Sequence, residues 1–559
     1  MLCNTGSLPR KMPVPRRDYS VDRMIHHNAT VPSTQPDAQV QPNDMILLKN
    51  ATLVDGSGAA ARSADLLLAG ERIAEIGHLT PPSHARILDC TGLIAAPGFL
   101  DAHSHSDLQV LQGRTEKTRQ GVTTEIVGNC GFSPYPMAQH ANAVHEFANS
   151  ILCGQQHWGW PSAAAYLEAL SSAPLASVYS LIGHGSLRIE VAGNEQRPLT
   201  EAEMDRMEQL LDEALSEGAI GFSTGLMYAP GSCAPQQELE RLCRVVARHG
   251  KVYATHMRSY ASGLESAVEE QLELARRTGC RLQISHLQAV GRANWPRQAA
   301  VLERIEAAAQ HGVDVAFDCY PYTAGSSTLT QLAPQWALDG GLDALVLRLR
   351  DPLLRQEILD ETRSCMEVAW TDVILTSVAS GRNQSLVGQS LAHIGDLRQQ
   401  DPAETLLDLL VEEHGEAGMI SFNQSPENLR QTLTHPLSII ITDGLYVRGK
   451  AHPRLHGTFP LLLGELCRGK RWLTLEDAVH KITGRPAERF GILDRGLLQP
   501  GYYADLTLFD PAAIDSKADY DSPEQRPTGV HHVFRNGRQI ELPPEAYSAV
   551  DQAGGESHG

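Results

Sequence analysis

The sequence predicts an α/β fold: a (β/α)8 TIM-type barrel, with a small β-sandwich domain formed by both chain ends and an insertion before the last barrel strand. Three observations predict it. Strand-like runs alternate with helical stretches through the middle of the chain, and eight such runs favour a closed barrel over an open sheet. Clusters of short strands flank that middle at both ends. The gap between the seventh and eighth runs is too long for a simple crossover.

Residues 1–44 carry Arg10, Lys11, Arg16, Arg17, Arg23 and several prolines. No apolar run of signal-peptide length follows the basic residues, so the segment is expected to be a disordered extension and not a secretory signal. Met45–Val54 is strand-like and ends at the turn Asp55-Gly56-Ser57-Gly58. Asp65–Leu68 and Arg72–Ile76 give two more strands around Gly70-Glu71. Ala504–Phe509 and Val530–Phe534, with a turn at Asn536-Gly537, supply matching signals near the other end. Residues 45–96 and 488–545 are therefore expected to build one small β domain. The barrel, residues 97–487, is inserted into it.

The barrel runs are Gly98–Asp101, Val122–Val127, Ser177–Ile182, Ile220–Ser223, Val252–Thr255, Arg281–Ser285, Asp314–Asp318 and Ser438–Thr442. Helical stretches such as Glu201–Glu217 and Leu264–Thr278 lie between them. An insertion at about residues 325–434, with helices near Leu342–Thr362 and Ala403–Glu413, is placed to cover the barrel mouth. Residues 546–559 are polar and Gly-rich and read as a flexible tail.

Composition narrows the function classes. Of 559 residues, 42% are hydrophobic and 20% charged, the balance of a soluble globular protein. No stretch approaches the roughly 20 apolar residues of a membrane span. The net charge of −19 argues against a general nucleic-acid binder, which needs a basic face for phosphates. Ten cysteines are scattered without a CxxC pair, which fits free thiols in a reducing cytoplasm.

Metal-type residues gather at the ends of the expected barrel strands, where barrel chemistry is built. His103 and His105 follow Phe99-Leu100-Asp101; two residues apart on an extended chain, they share a face and can reach one metal. Cys130 ends the second run, His256 the fifth, His286 the sixth and Asp443 the eighth. A lone histidine at a strand end is commonly structural. Five metal-type residues and a carboxylate in one layer point instead to a metal site. Structural zinc sites are usually closed, Cys-rich sets, and this one is histidine-rich.

At these residues the sequence resembles the N-acyl-D-amino-acid deacylase (D-aminoacylase) family of the amidohydrolase superfamily, over about Met45 to Leu542. The entry Ala96-Pro97-Gly98-Phe99-Leu100-Asp101-Ala102-His103-Ser104-His105 specifies only the superfamily. Val127-Gly128-Asn129-Cys130-Gly131, Gly221-Phe222-Ser223-Thr224-Gly225-Leu226-Met227-Tyr228 and Tyr253-Ala254-Thr255-His256-Met257-Arg258 are more specific. So are His452-Pro453-Arg454, Gly457-Thr458-Phe459-Pro460 and Arg495-Gly496-Leu497-Leu498.

The resemblance implies that Cys130, His256 and His286 hold a tight zinc. It implies that His103, His105 and Asp443 form a second, weaker site, with Cys130 where many relatives carry a bridging carboxylated lysine. It also implies that Tyr228 and Arg454 grip the substrate α-carboxylate, a task suited to a planar guanidinium and a hydroxyl. Relatives selective for some acidic substrates carry a lysine two residues after the sixth-strand histidine. Here that residue is Gln288, so carboxylate binding is expected to lean on Arg454 and on Arg258 or Arg292, and a D-glutamate-type preference is disfavoured.

The expected reaction is hydrolysis of N-acyl-D-amino acids, with the D preference resting on the resemblance alone. Zinc activates water, and Asp443 acts as general base and then acid. His103, His105 and His184, the last in Gly183-His184-Gly185, are candidate oxyanion donors. The alternatives are a cyclic-amide hydrolase of the hydantoinase or dihydroorotase kind, against which Cys130 counts, and a non-catalytic scaffold, against which the full ligand set counts.

Overall fold

The computed structural model describes residues 45–153, 158–447 and 449–542. The expected extension at 1–44 and the tail at 546–559 lie outside the described residues. Eight parallel strands follow one another around a barrel in chain order: Phe99–Asp101, Val122–Val127, Ser177–Gly183, Gly221–Gly225, Val252–His256, Arg281–Ile284, Val315–Cys319 and Ser438–Ile440. We number them strands 1 to 8. Most of their residues are buried, as strands covered on both faces must be.

Strands 1 and 8 close the ring at its C-terminal rim. Ser104–His105 pairs in parallel with Gly444–Leu445, and Asp443 N donates to His103 O at 2.9 Å. The Asp101 carboxylate, at the end of strand 1, accepts from Thr442 N at 2.9 Å. The seam that completes the barrel therefore runs beside two of the expected ligands.

The outer helices form where capping and apolar period agree. Thr200 and Glu203 make a reciprocal capping box ahead of Glu201–Ser216. Met204, Met207, Leu211, Ala214 and Leu215 give that helix one buried stripe. Leu264–Thr278 ends at Gly279, whose φ of 72° suits a left-handed cap.

Both ends of the described chain share a second, mixed sheet. Its path runs Arg538–Gln539, Val530–Arg535, Leu506–Phe509, Ile94–Pro97, Met45–Leu53, Arg62–Ala69 and Arg72–Gly77, with Arg86–Asp89 also pairing with Met45–Leu53. The sheet curls on itself, because Ala504 N donates to Glu71 O at 2.8 Å. Leu48, Leu66, Leu68, Leu506, Leu508 and Phe534 fill the space so enclosed. The sandwich is thus one continuous hydrogen-bonded sheet folded over its own core.

The insertion is a compact layer. Ala324–Thr328, Gly418–Phe422 and Val373–Ser377 form a three-stranded antiparallel sheet, in that order. Its own core includes Leu345, Leu349, Ile358, Leu375, Leu406 and Leu410. The expected helix Leu342–Thr362 is two helices, Leu342–Arg350 and Pro352–Cys365. Asp351 caps the second, accepting from Leu353 N and Leu354 N, with Pro352 at its first position. The insertion ends earlier than expected, because Pro426–Thr434 packs on strand 8 and on Arg297–Gln310 as an ordinary outer helix of the barrel. Among the described residues, no helix is long and apolar enough to cross a membrane.

Candidate metal centre and active site

Three strand ends are turned into the barrel mouth by the same backbone device. Cys130, His286 and Asp443 have φ of 54°, 35° and 50°, in the left-handed region that side-chain-bearing residues rarely adopt. Such positions cost on the order of 1–3 kcal/mol each and persist where the surroundings over-determine them. The glycines around Cys130 are part of this. A Cβ on Gly128 would lie 2.0 Å from Leu181 O, and one on Gly131 would lie 2.7 Å from Gly225 N.

The turns converge. Cys130 Sγ lies 3.3 Å from His103 Nε2 and 3.6 Å from His286 Nε2. Two sets of donor atoms fall within 4.8 Å of one another, one of His103, His105 and Cys130 and one of Cys130, His256 and His286. Cys130 belongs to both. All five residues are buried. Asp443 adjoins the first set, with Oδ1 at 3.3 Å from His105 Nε2 and 3.5 Å from His103 Nε2.

This donor set fits zinc. Sulfur and imidazole nitrogen are its common ligands, and His256 Nε2 is buried without a well-formed hydrogen bond. The charges agree. Burial pushes the Cys130 thiol up, but the neighbouring imidazoles, His103 first, hold it well below its ordinary value. Burial likewise opposes ionisation of Asp443, yet Arg454 and then His103 hold its carboxyl well below the usual carboxylate range. Two buried anions among imidazoles make a site suited to a divalent cation.

Residues beyond the ligands hold them in place, and several were not singled out from the sequence. Asp318, at the end of strand 7, accepts from His286 N at 2.7 Å and from Gln283 Nε2 at 2.9 Å, and lies 3.3 Å from His103 Nδ1. Lys117, 3% exposed, bridges Asp101 at 2.6 Å and Glu125 at 2.9 Å. Burial opposes its charge, but the two carboxylates hold its pKa above the ordinary lysine value. Tyr260 receives Met257 N and donates to Ser285 O, tying the loops that follow strands 5 and 6.

Arg454 is buried beside the cluster. Its Nη1 lies 2.9 Å from Asp443 Oδ2, and its guanidinium stands 4.7 Å above the Tyr320 ring. Its Nε has no partner among the described residues. Tyr228 OH lies 3.5 Å from His256 Nδ1, and Gln288 accepts from Tyr320 OH at 3.3 Å. Tyr228, Gln288, Arg454 and the ligands His105, Cys130, His256, His286 and Asp443 line one cavity of about 400 Å³. Ser326, Ser327, Leu332, Pro334 and Met366 of the insertion form its outer wall.

Three expectations are corrected. Arg258 does not face the cavity: it pairs with Glu270 at 2.9 Å and donates to Ser232 O and Ala234 O. Strand 5 ends at His256, so the alternation that would have put both side chains on one face stops two residues too soon. Arg292 is largely exposed, over the Trp295 ring and 3.6 Å from Asp372. His184 is buried against Glu238 at 2.7 Å, in a cluster completed by Arg188, and does not line the cavity.

Comparison with known proteins agrees with this geometry. The Amidohydrolase family matches residues 86–295 and 370–540. D-aminoacylase of Alcaligenes xylosoxydans xylosoxydans is 37% identical over 503 residues, 89% of this chain and 95% of that protein. N-acyl-D-glutamate deacylase of the same organism is 36% identical, over 89% of this chain and 94% of that protein. The crystal structure of N-acyl-D-glutamate deacylase from Bordetella bronchiseptica, complexed with zinc and a phosphonate mimic of the tetrahedral intermediate, superposes with a TM-score of 0.77. It is 33% identical, covering 90% of this chain and 97% of that one. L-Hydantoinase of Arthrobacter aurescens, at 18% identity and a TM-score of 0.51 over 90% of this chain and 97% of that one, shares the fold alone.

Proposed function

The chain belongs to the amidohydrolase family, and we propose that it is a zinc-dependent N-acyl-D-amino-acid deacylase, cleaving the amide to a carboxylate and a free D-amino acid. One observation carries the reading: a Cys130-centred sulfur and imidazole cluster shares its cavity with a buried arginine. Relatives at 35–37% identity over about nine-tenths of the chain deacylate D-amino-acid derivatives. Free cysteines throughout the described residues support a reducing, cytoplasmic setting.

Cys130, His256 and His286 would hold one zinc, and His103, His105 and Asp443, with Cys130 shared, a second and weaker one. When bound there, zinc supplies a Lewis acid that polarises the acyl carbonyl and brings the pKa of water from 15.7 to about 7. Asp443, ionised in its ground state, takes the proton from the attacking water. It then returns that proton to the departing amine nitrogen, so the proton count closes on one carboxylate oxygen. Arg454 turns its unpartnered Nε and remaining donors to the substrate α-carboxylate, and the Tyr228 hydroxyl adds a further donor. Gln288 sits beside them as a neutral wall. Ser326, Leu332, Pro334 and Met366 of the insertion wall the cavity on its outer side.

Zinc-loaded protein should release free amine from N-acetyl-D-amino acids and much less from the matched L-series. Cleavage of hydantoins with no amine release from either series would overturn the reading.

A further inference from the structure

What stands on the substrate's side chain and on its acyl group is set by the chemistry of the cavity. Overall similarity does not decide it, because D-aminoacylase and N-acyl-D-glutamate deacylase stand at nearly the same distance, 37% and 36% identity. The cavity walls do. Among the described residues that line it, Arg454 is the one lysine or arginine. That guanidinium already serves Asp443 at 2.9 Å, which leaves donors for a single further carboxylate. The other full charges on the wall, outside the ligand cluster, are acidic: Glu361 and Glu367, both from the insertion. Glu361 accepts from Trp336 Nε1 at 2.8 Å, and Glu367 from Ser262 N and Asn294 Nδ2, so both are fixed by neutral donors; among the described residues neither forms a salt bridge, and Arg297 acts on Glu367 only as a weaker electrostatic neighbour. A second substrate carboxylate would lose water there and meet two like charges.

A smaller cavity of about 100 Å³ adjoins the first behind Met227 and Tyr228. Phe147, Ile151, Leu338 and Leu342 give it apolar walls, and none of its described lining residues is basic. Its one carboxylate, Glu146, accepts from Leu342 N at 3.0 Å.

Building on the deacylase reading, we infer that this enzyme takes N-acyl amino acids whose side chain and acyl group are neutral and apolar. It rejects dicarboxylic substrates, with Gln288, Glu361 and Glu367 as the residues that set the discrimination. The expected discrimination is about a hundredfold or more in kcat/KM, which corresponds to about 2.8 kcal/mol.

The test is amine release by the zinc-loaded enzyme from N-acetyl-D-leucine, N-acetyl-D-methionine, N-acetyl-D-glutamate and N-acetyl-D-aspartate, with N-hexanoyl-D-leucine as an acyl-length arm. The expected result is a hundredfold or greater preference for leucine and methionine over both acidic substrates, with the hexanoyl compound cleaved at least as well as the acetyl one. Glutamate equal to leucine would overturn the side-chain half, and loss of the hexanoyl compound the acyl half. Glu361→Lys and Gln288→Lys should each raise kcat/KM on N-acetyl-D-glutamate about tenfold or more. If neither folded variant moves the leucine-to-glutamate ratio, the assignment to these walls is wrong. No release from any compound, with hydantoins cleaved, would remove the deacylase reading and this inference together.

Discussion

Asp443 has a polar neighbour on each of its carboxylate oxygens. It adjoins two histidines through one oxygen and Arg454 through the other, at the end of a backbone turned to positive φ. Asp443→Asn should keep the ligand cluster's zinc, by elemental analysis, and lose about 10²–10⁴-fold in kcat; wild-type turnover would refute its role as proton carrier. Cys130→Ala and His286→Ala should each lose zinc, and full occupancy in both would sink the ligand set. Arg454→Ala should cut kcat/KM for substrates with a free α-carboxylate by about 2–5 kcal/mol, far more than for the corresponding carboxylate-free amides. Equal loss on both would deny it that contact. The donors themselves could be read from the chain, because each sits where a strand-like run meets a turn residue. Asp318 could not. Its partners, His103 and the His286 amide, come from strands 1 and 6, and nothing local to Phe317-Asp318-Cys319 announces them. Arg258 was misplaced for the opposite reason, since a local periodicity was extended past the end of its strand.

Among the elements, strands 1, 2 and 8 meet through one buried ion cluster. Lys117 binds Asp101 of strand 1 and Glu125 of strand 2, and Asp101 holds Thr442, the residue before Asp443. Ser104 Oγ and Ser106 Oγ on either side of His105 both donate to Glu125. The HxH segment and the Asp443 loop are thereby fixed to one carboxylate pair. Lys117→Met would strand two buried anions, so a loss of about 3–5 kcal/mol is expected in denaturant unfolding. A change below about 1 kcal/mol would show that the cluster does not hold the seam. Strand positions were largely legible, because a barrel strand is a short apolar run with punctuated ends. The break at Asp351-Pro352 is also written in the chain, as a cap followed by proline. The end of the insertion was not legible, since Pro426–Thr434 looks like any amphipathic helix until it is seen against strand 8.

For the whole molecule, the donors come from strands 1, 2, 5, 6 and 8 or the residues just after them, so a bound ion ties together most of the ring. Chelation should lower the thermal midpoint, and added zinc should restore it. At a thousandfold excess over the dissociation constant the linkage is worth about 4 kcal/mol. An unchanged midpoint would mean that the ion does not bind the native state preferentially. The curled sheet sets a different constraint, one of timing. Strand Ile94–Pro97 finds its neighbour, Leu506–Phe509, only when some four hundred further residues have been made. At about 5–20 residues per second of synthesis, that is roughly 20 to 80 seconds on the ribosome. For that interval the strand has an open edge, with unpaired backbone groups that another chain could match. The last strands to emerge are therefore the ones that make the first strands safe.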